Sequence, residues 1–87
     1  MRVKVLIFGD VVGVFFRRFV NHNAIRLGLK GYVKNAGDKV EAVFVGLDEK
    51  VDEMISLCKQ GPAGSKVEDV KVINYKSKEE FNKFEVR

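Results

Sequence analysis

Apolar residues in this chain recur at every second position, then at every third or fourth, and the period switches back and forth along its length. Val3, Val5 and Ile7 alternate with Lys4, Leu6 and Phe8, and by its end the run is apolar on both parities, as a central strand over Val3–Phe8 would be. Phe16, Phe19, Val20, Ala24 and Leu27 then repeat at helical spacing while Arg18, His22 and Arg26 line another face, which predicts a helix over Arg18–Leu27 closed by Gly28. Lys30–Asn35 and Lys39–Val45 read as two strands joined by Ala36-Gly37-Asp38, a short hairpin. A second helix follows Gly46, capped by Asp48, burying Val51, Met54, Ile55 and Cys58, and stopped by Gly61-Pro62. Lys66–Tyr75 is a further strand, Ser77–Glu80 a turn, and Phe84 with Val86 a short closing strand.

The order β-α-β-β-α-β leaves two helices that must bury their stripes on one face of an antiparallel sheet. The expected architecture is a two-layer α/β sandwich of the ferredoxin-like kind: four antiparallel strands, a short C-terminal strand, and both helices on one side. Eighty-seven residues make one domain, 1–87. Hydrophobic residues at 46% and charged ones at 32% describe a globular composition, and no apolar run reaches the ~20 residues that span a bilayer. The chain opens into a strand, without the apolar segment of a secretory leader, so a cytoplasmic location is expected and no membrane partner. One cysteine, Cys58, allows no internal disulfide and no multi-cysteine metal cage. The net charge of +4 is a mild, scattered excess that suits an anionic small molecule and argues for no nucleic-acid partner.

Function is concentrated in Gly9-Asp10-Val11-Val12-Gly13-Val14-Phe15-Phe16-Arg17, between the first strand and the first helix. A glycine-punctuated turn there can aim several backbone N–H groups at one spot, and the helix dipole makes that end partly positive. With the Arg17 guanidinium added, the place suits a tetrahedral oxyanion. It is neither a Walker loop, since no Gly-Lys-Ser/Thr occurs, nor a dinucleotide fingerprint, since only Gly9 and Gly13 are glycine. The same spacing also serves a tight turn in which the two glycines merely supply positive φ. Asn35 ends a strand that this topology brings to the same sheet edge, and a carboxamide can accept from and donate to one water. Its alternative role is to open the hairpin by bonding its own backbone. His22 and Arg18 fall on the solvent face of the helix, and Cys58 in a buried stripe.

Gly9-x-Val11-x-Gly13-Val14-x-Phe16-Arg17, followed by Ala24-x-x-x-Gly28-Leu29-x-Gly31-Tyr32-Val33-x-Asn35, resembles the acylphosphatase family signature, and Gly46 and Gly61-Pro62-x-x-Ser65-x-Val67 extend the likeness over nearly the whole chain. The resemblance implies hydrolysis of a carboxyl–phosphate anhydride to carboxylate and inorganic phosphate, with no metal or organic cofactor, on a small-molecule acyl phosphate; a monomer is expected. It implies that the amides of Val11, Val12, Gly13, Val14, Phe15 and Phe16 hold the phosphoryl oxygens with Arg17, that Asn35 positions the water, and that the substrate's phosphate helps take its proton. Arg17 and Asn35 are the catalytic pair on this reading. Three positions depart from the family: glutamine is usual at Val12, a basic residue at Asp10, and a small one at Phe15. A carboxylate at position 10 repels substrate if it faces the cradle and matters little if it faces solvent. The competing expectation is a cradle without turnover, a module that binds phosphate or carbamoyl phosphate.

Overall fold

The computed structural model describes all residues from Met1 to Arg87. Seven elements follow in order: β1 (Arg2–Asp10), α1 (Val14–Arg26), β2 (Lys30–Ala36), β3 (Lys39–Val45), α2 (Asp48–Gln60), β4 (Lys66–Asn74) and β5 (Phe84–Val86). The strands form one sheet in the order β4-β1-β3-β2-β5. β1 pairs antiparallel with both β3 and β4, and β2 with β3. The closing strand joins β2 in parallel, so the sheet is mixed at that edge. The expected two-layer βαββαβ architecture holds.

One core of 17 buried residues lies between the helices and the sheet, fed by Val3, Val5 and Ile7 of β1, Phe16, Val20 and Ala24 of α1, and Val51, Met54 and Cys58 of α2. Fully buried side chains such as Ile7, Phe44 and Met54 each contribute about 1.5–3 kcal/mol, which a domain this small cannot spare. α1 rests on β2 and β5, and α2 on β4 and β1. The end of α1 is a Schellman closure in which Leu29 N–H donates to the Ala24 carbonyl at 2.9 Å and Gly28 N–H to that of Ile25 at 3.0 Å.

Two local expectations need correction. Asp48 does not cap α2: Leu47 occupies the cap without a side-chain bond, and Asp48 with Glu49 instead places negative charge in the first turn. The first helix begins at Val14, four residues earlier than its polar–apolar pattern suggests, so Arg17 is helical. The outer sheet face adds a feature the periodicity did not suggest. The segment after β4 folds back over it, where Tyr32, Val43 and Phe81 are buried together and Tyr75 packs against them. The Arg2 guanidinium sits 5.7 Å from the Tyr75 ring centre and 5.5 Å from that of Phe81, and Arg87 lies 4.3 Å over Tyr32. Burial, then the 2.6 Å bond that Tyr32 donates to Glu41, pushes that phenol upward.

Burial pushes the Cys58 thiol up to about 12. A thiol held protonated by the fold contributes stability that is present below its unfolded value near ~8.5 and is lost as pH rises through 12. At pH 8 a thiol reagent is expected to label Cys58 at least ~100-fold more slowly in native protein than in denaturant. Equal labelling rates would contradict the buried placement.

Candidate active site

The loop from Val11 to Gly13 leaves the sheet at the end of β1 and enters α1 at Val14. It is pinned at both sides: Val11 is 3% exposed and Phe16 2%, both within the core. Between these anchors Val12, Val14 and Phe15 stand out in solvent, with Phe15 76% exposed. Their side chains therefore do not explain the local conformation; the backbone does. Gly13, at the helix cap, has φ 130° and ψ −178°, a combination that L side chains rarely adopt, and a Cβ there would touch nothing. The requirement is conformational rather than steric.

The consequence is a set of bare donors. The N–H groups of Val11, Val12 and Gly13 donate to no backbone acceptor, and those of Val14, Phe15 and Phe16 open a helix and have no intrahelical partner. The first turn of α1 has no acidic residue and no side-chain cap, in contrast to α2 with Asp48 and Glu49. One helix of this protein neutralises its positive end internally, and the other leaves it open to an anion from outside.

Arg17 adds a full charge. Its Nε donates to the Gly13 carbonyl at 3.3 Å, tying the side chain back to the loop. No carboxylate pairs with it, although five other cationic contacts in the molecule are ion pairs. The direction of Arg17 follows from helix geometry. Arg26 reaches Glu53 of α2 at 3.7 Å, which identifies the flank of α1 that faces α2. Nine residues at about 100° each bring Arg17 about half a turn round to the opposite flank. That is the flank over β2 and β5, the strands on which α1 rests.

Asn35 lies beneath this flank. It alternates with Val33, a core residue, so it points to the helix side of β2. β1 and β2 run the same way because each is antiparallel to β3, and both end at the same edge of the sheet. Ile7, Val40 and Asn35 share one level across the three strands, placing Asn35 about 10 Å from β1. Its Oδ1 is buried and accepts no hydrogen bond. Asn35 thus does not serve the hairpin by bonding its own backbone, and its carboxamide keeps capacity for a ligand or water. His22 and Arg18 are exposed on the far face of α1, as the periodicity indicates.

On the other side of the loop is a cleft of about 380 Å³. Val11, Val12, Gly13, Phe15 and Phe16 form one wall, while Val14, Arg17 and Asn35 take no part in it. The opposite wall, which the sequence reading did not assign to the site, is the turn from Pro62 to Ser65. It arrives there because β4 pairs with β1 and sets Lys66 opposite Asp10, so the residues before Lys66 flank those after Asp10. Ser65 fixes the turn, its Oγ donating to the Pro62 carbonyl at 2.7 Å and its N–H to the same oxygen at 3.2 Å. Gly61-Pro62 marked the turn in the sequence, but only the β1–β4 register reveals what it faces.

The family described as Acylphosphatase matches residues 3–86. An acylphosphatase of Caldivirga maquilingensis is 44% identical, the alignment covering 100% of this chain and 94% of that relative. An acylphosphatase of Aeropyrum pernix is 40% identical over 100% of this chain and 88% of its own length. Among solved structures, acylphosphatase from Bacillus subtilis superposes with a TM-score of 0.91 at 32% identity, covering 99% of this chain and 97% of that one. Full-length HypF, in a phosphate- and nucleotide-bound form, superposes over 99% of this chain with a TM-score of 0.90 and 29% identity, but over only 11% of its own length.

Proposed function

The chain belongs to the acylphosphatase family and is an enzyme that hydrolyses acyl phosphates; on that premise we propose how its residues divide the work. The amides of Val11 to Phe16 and the guanidinium of Arg17 bind the phosphoryl oxygens, and Asn35 orients the attacking water. The reading rests on one observation above the others: a guanidinium without a carboxylate partner, tied to the loop, beside a run of unpaired amides at a helix end without acids. The buried, unbonded Oδ1 of Asn35 supports the second half.

Water held by Asn35 attacks phosphorus in line with the bond to the acyl oxygen. The new P–O bond forms as the P–O(acyl) bond breaks, the carboxylate departs with the electron pair, and the water's proton passes to a phosphoryl oxygen. Phosphoryl transfer of this kind asks for positioning and charge stabilisation rather than a covalent nucleophile. Arg17 and the amides serve the charge that builds on the equatorial oxygens; Asn35 orients without adding a negative charge that would repel the substrate. We read the protein as a cytoplasmic monomer that acts on a small molecule and has no nucleic-acid partner. The modest +4 charge supports a small anionic substrate rather than nucleic acid, and no helix is long and apolar enough to cross a membrane.

Asn35→Ala is expected to lower kcat roughly 10²-fold while inhibition by inorganic phosphate changes by no more than about twofold. Hydrolysis in ¹⁸O-water, without added metal, should place the label in phosphate. Label in the carboxylate would mean attack at carbon and would remove the role given to Asn35.

A further inference from the structure

We infer that the cleft between the Val11–Phe16 loop and the Pro62–Ser65 turn receives the acyl group, and that it selects uncharged, apolar acyl chains, with Asp10 rejecting anionic ones. This rests on the division of labour proposed above. In-line displacement requires the water and the leaving carboxylate on opposite sides of phosphorus. Asn35 and the Arg17 flank are on the β2 side of the loop. The leaving acyl oxygen must then point to the β4 side, and the cleft is there.

The chemistry of the cleft says what it accepts. Its volume of about 380 Å³ falls within the ~300–1,000 Å³ typical of small-ligand sites. Half of its ten lining residues are hydrophobic, and Asp10 is the one charged residue among them. Val12 and Phe15 are large apolar side chains left 48% and 76% exposed at its mouth, an arrangement that costs solvation unless something apolar covers them. No lysine or arginine lines it, so a carboxylate or second phosphate on the acyl chain would find no counter-ion. It would instead meet the exposed Asp10 carboxylate, which forms no ion pair within the protein.

The test compares kcat/KM for benzoyl, acetyl, propionyl and monosuccinyl phosphate, with inorganic phosphate as a competitive inhibitor. Wild type should prefer benzoyl over acetyl phosphate by roughly tenfold, and Ala63→Phe, which narrows the cleft from an exposed position, should erase most of that preference. Asp10→Asn should raise the succinyl-to-propionyl ratio by roughly fivefold at low ionic strength, and the gain should shrink in ~1 M salt, where the Debye length falls to about 3 Å. A merely structural role for Asp10 would not depend on salt in this way. Unchanged ratios in both variants, with phosphate inhibition intact, overturn the acyl site and leave the cradle standing. Phosphate inhibition that survives Arg17→Ala overturns the cradle, and this inference with it.

Discussion

Replacing Arg17 by alanine is expected to cut kcat/KM toward an acyl phosphate by roughly 10²–10³-fold and to abolish competitive inhibition by inorganic phosphate. The magnitude is that of losing one strong donor aimed at developing charge, about 3–4 kcal/mol, because the loop amides remain. The rate constant kcat/KM and the affinity for phosphate should fall together, since the guanidinium meets phosphoryl oxygens in the ground state and in the transition state alike. This separates it from Asn35, which acts on the water. Arg17→Lys keeps the charge but loses the planar fork and the Nε bond to the Gly13 carbonyl, so it should recover only part of the loss. The fold should tolerate either change. Arg17 is half-buried, pairs with no carboxylate and makes one hydrogen bond, so its removal should cost no more than about 1 kcal/mol by denaturant titration. Arg17→Ala with undiminished rate, in a folded protein, would sink the proposed mechanism.

The sequence announced the sandwich because each buried face keeps its own period: two along Val3, Val5 and Ile7, and three or four along Phe16, Val20 and Ala24. It marked a glycine turn at Gly9 and Gly13 beside the cation Arg17, but that spacing also suits a plain tight turn, and only the longer pattern through Asn35 resembled a phosphate-handling family. The start of α1 was harder to see. Val14 and Phe15 are β-branched or aromatic, poor helix formers, and both are exposed, so they break the amphipathic pattern that marks the rest of the helix. Leu47 at the α2 cap violates the usual preference because the turn from Gly46 is fixed from elsewhere: Met1 donates to the Gly46 carbonyl at 2.9 Å and ion-pairs with Asp48 at 3.1 Å. The strap over the outer face was invisible for a different reason. Tyr75 closes the strand read over Lys66–Tyr75, Phe81 lies beyond it in a segment with no period, and their partners Arg2, Tyr32 and Arg87 come from both ends and the middle of the chain. The cleft belongs to the same class, since it exists only once β4 is paired with β1 in its actual register. What sequence alone withheld is non-local.

Gly31→Ala is expected to destabilise the protein by roughly 3 kcal/mol or more, enough to lower Tm by about 12–24 °C or to leave little folded protein at 37 °C. Gly31 lies inside β2, bonded on one side to β3 opposite Phe44 and on the other to β5 opposite Phe84. It is buried, with φ +134°, and a Cβ there would overlap the carbonyl oxygen of Val43. That obstacle is backbone in the middle of the sheet, so relief requires β2 and β3 to separate, and the Phe44–Phe84 stack at 5.7 Å separates with them. Conformation alone accounts for only part of the cost. Gly28→Ala supplies the comparison: Gly28 also has positive φ, +71°, but nothing lies within contact of its would-be Cβ, so it should cost about 1–2 kcal/mol. The excess measured at position 31 over position 28 then combines the penalty of forcing two strands apart with the greater strain of a side chain at φ +134°, well outside the left-handed well near which φ +71° lies. Equal losses at the two sites would mean that β2 and β3 are not held at the close approach that brings Asn35 to the edge shared with β1.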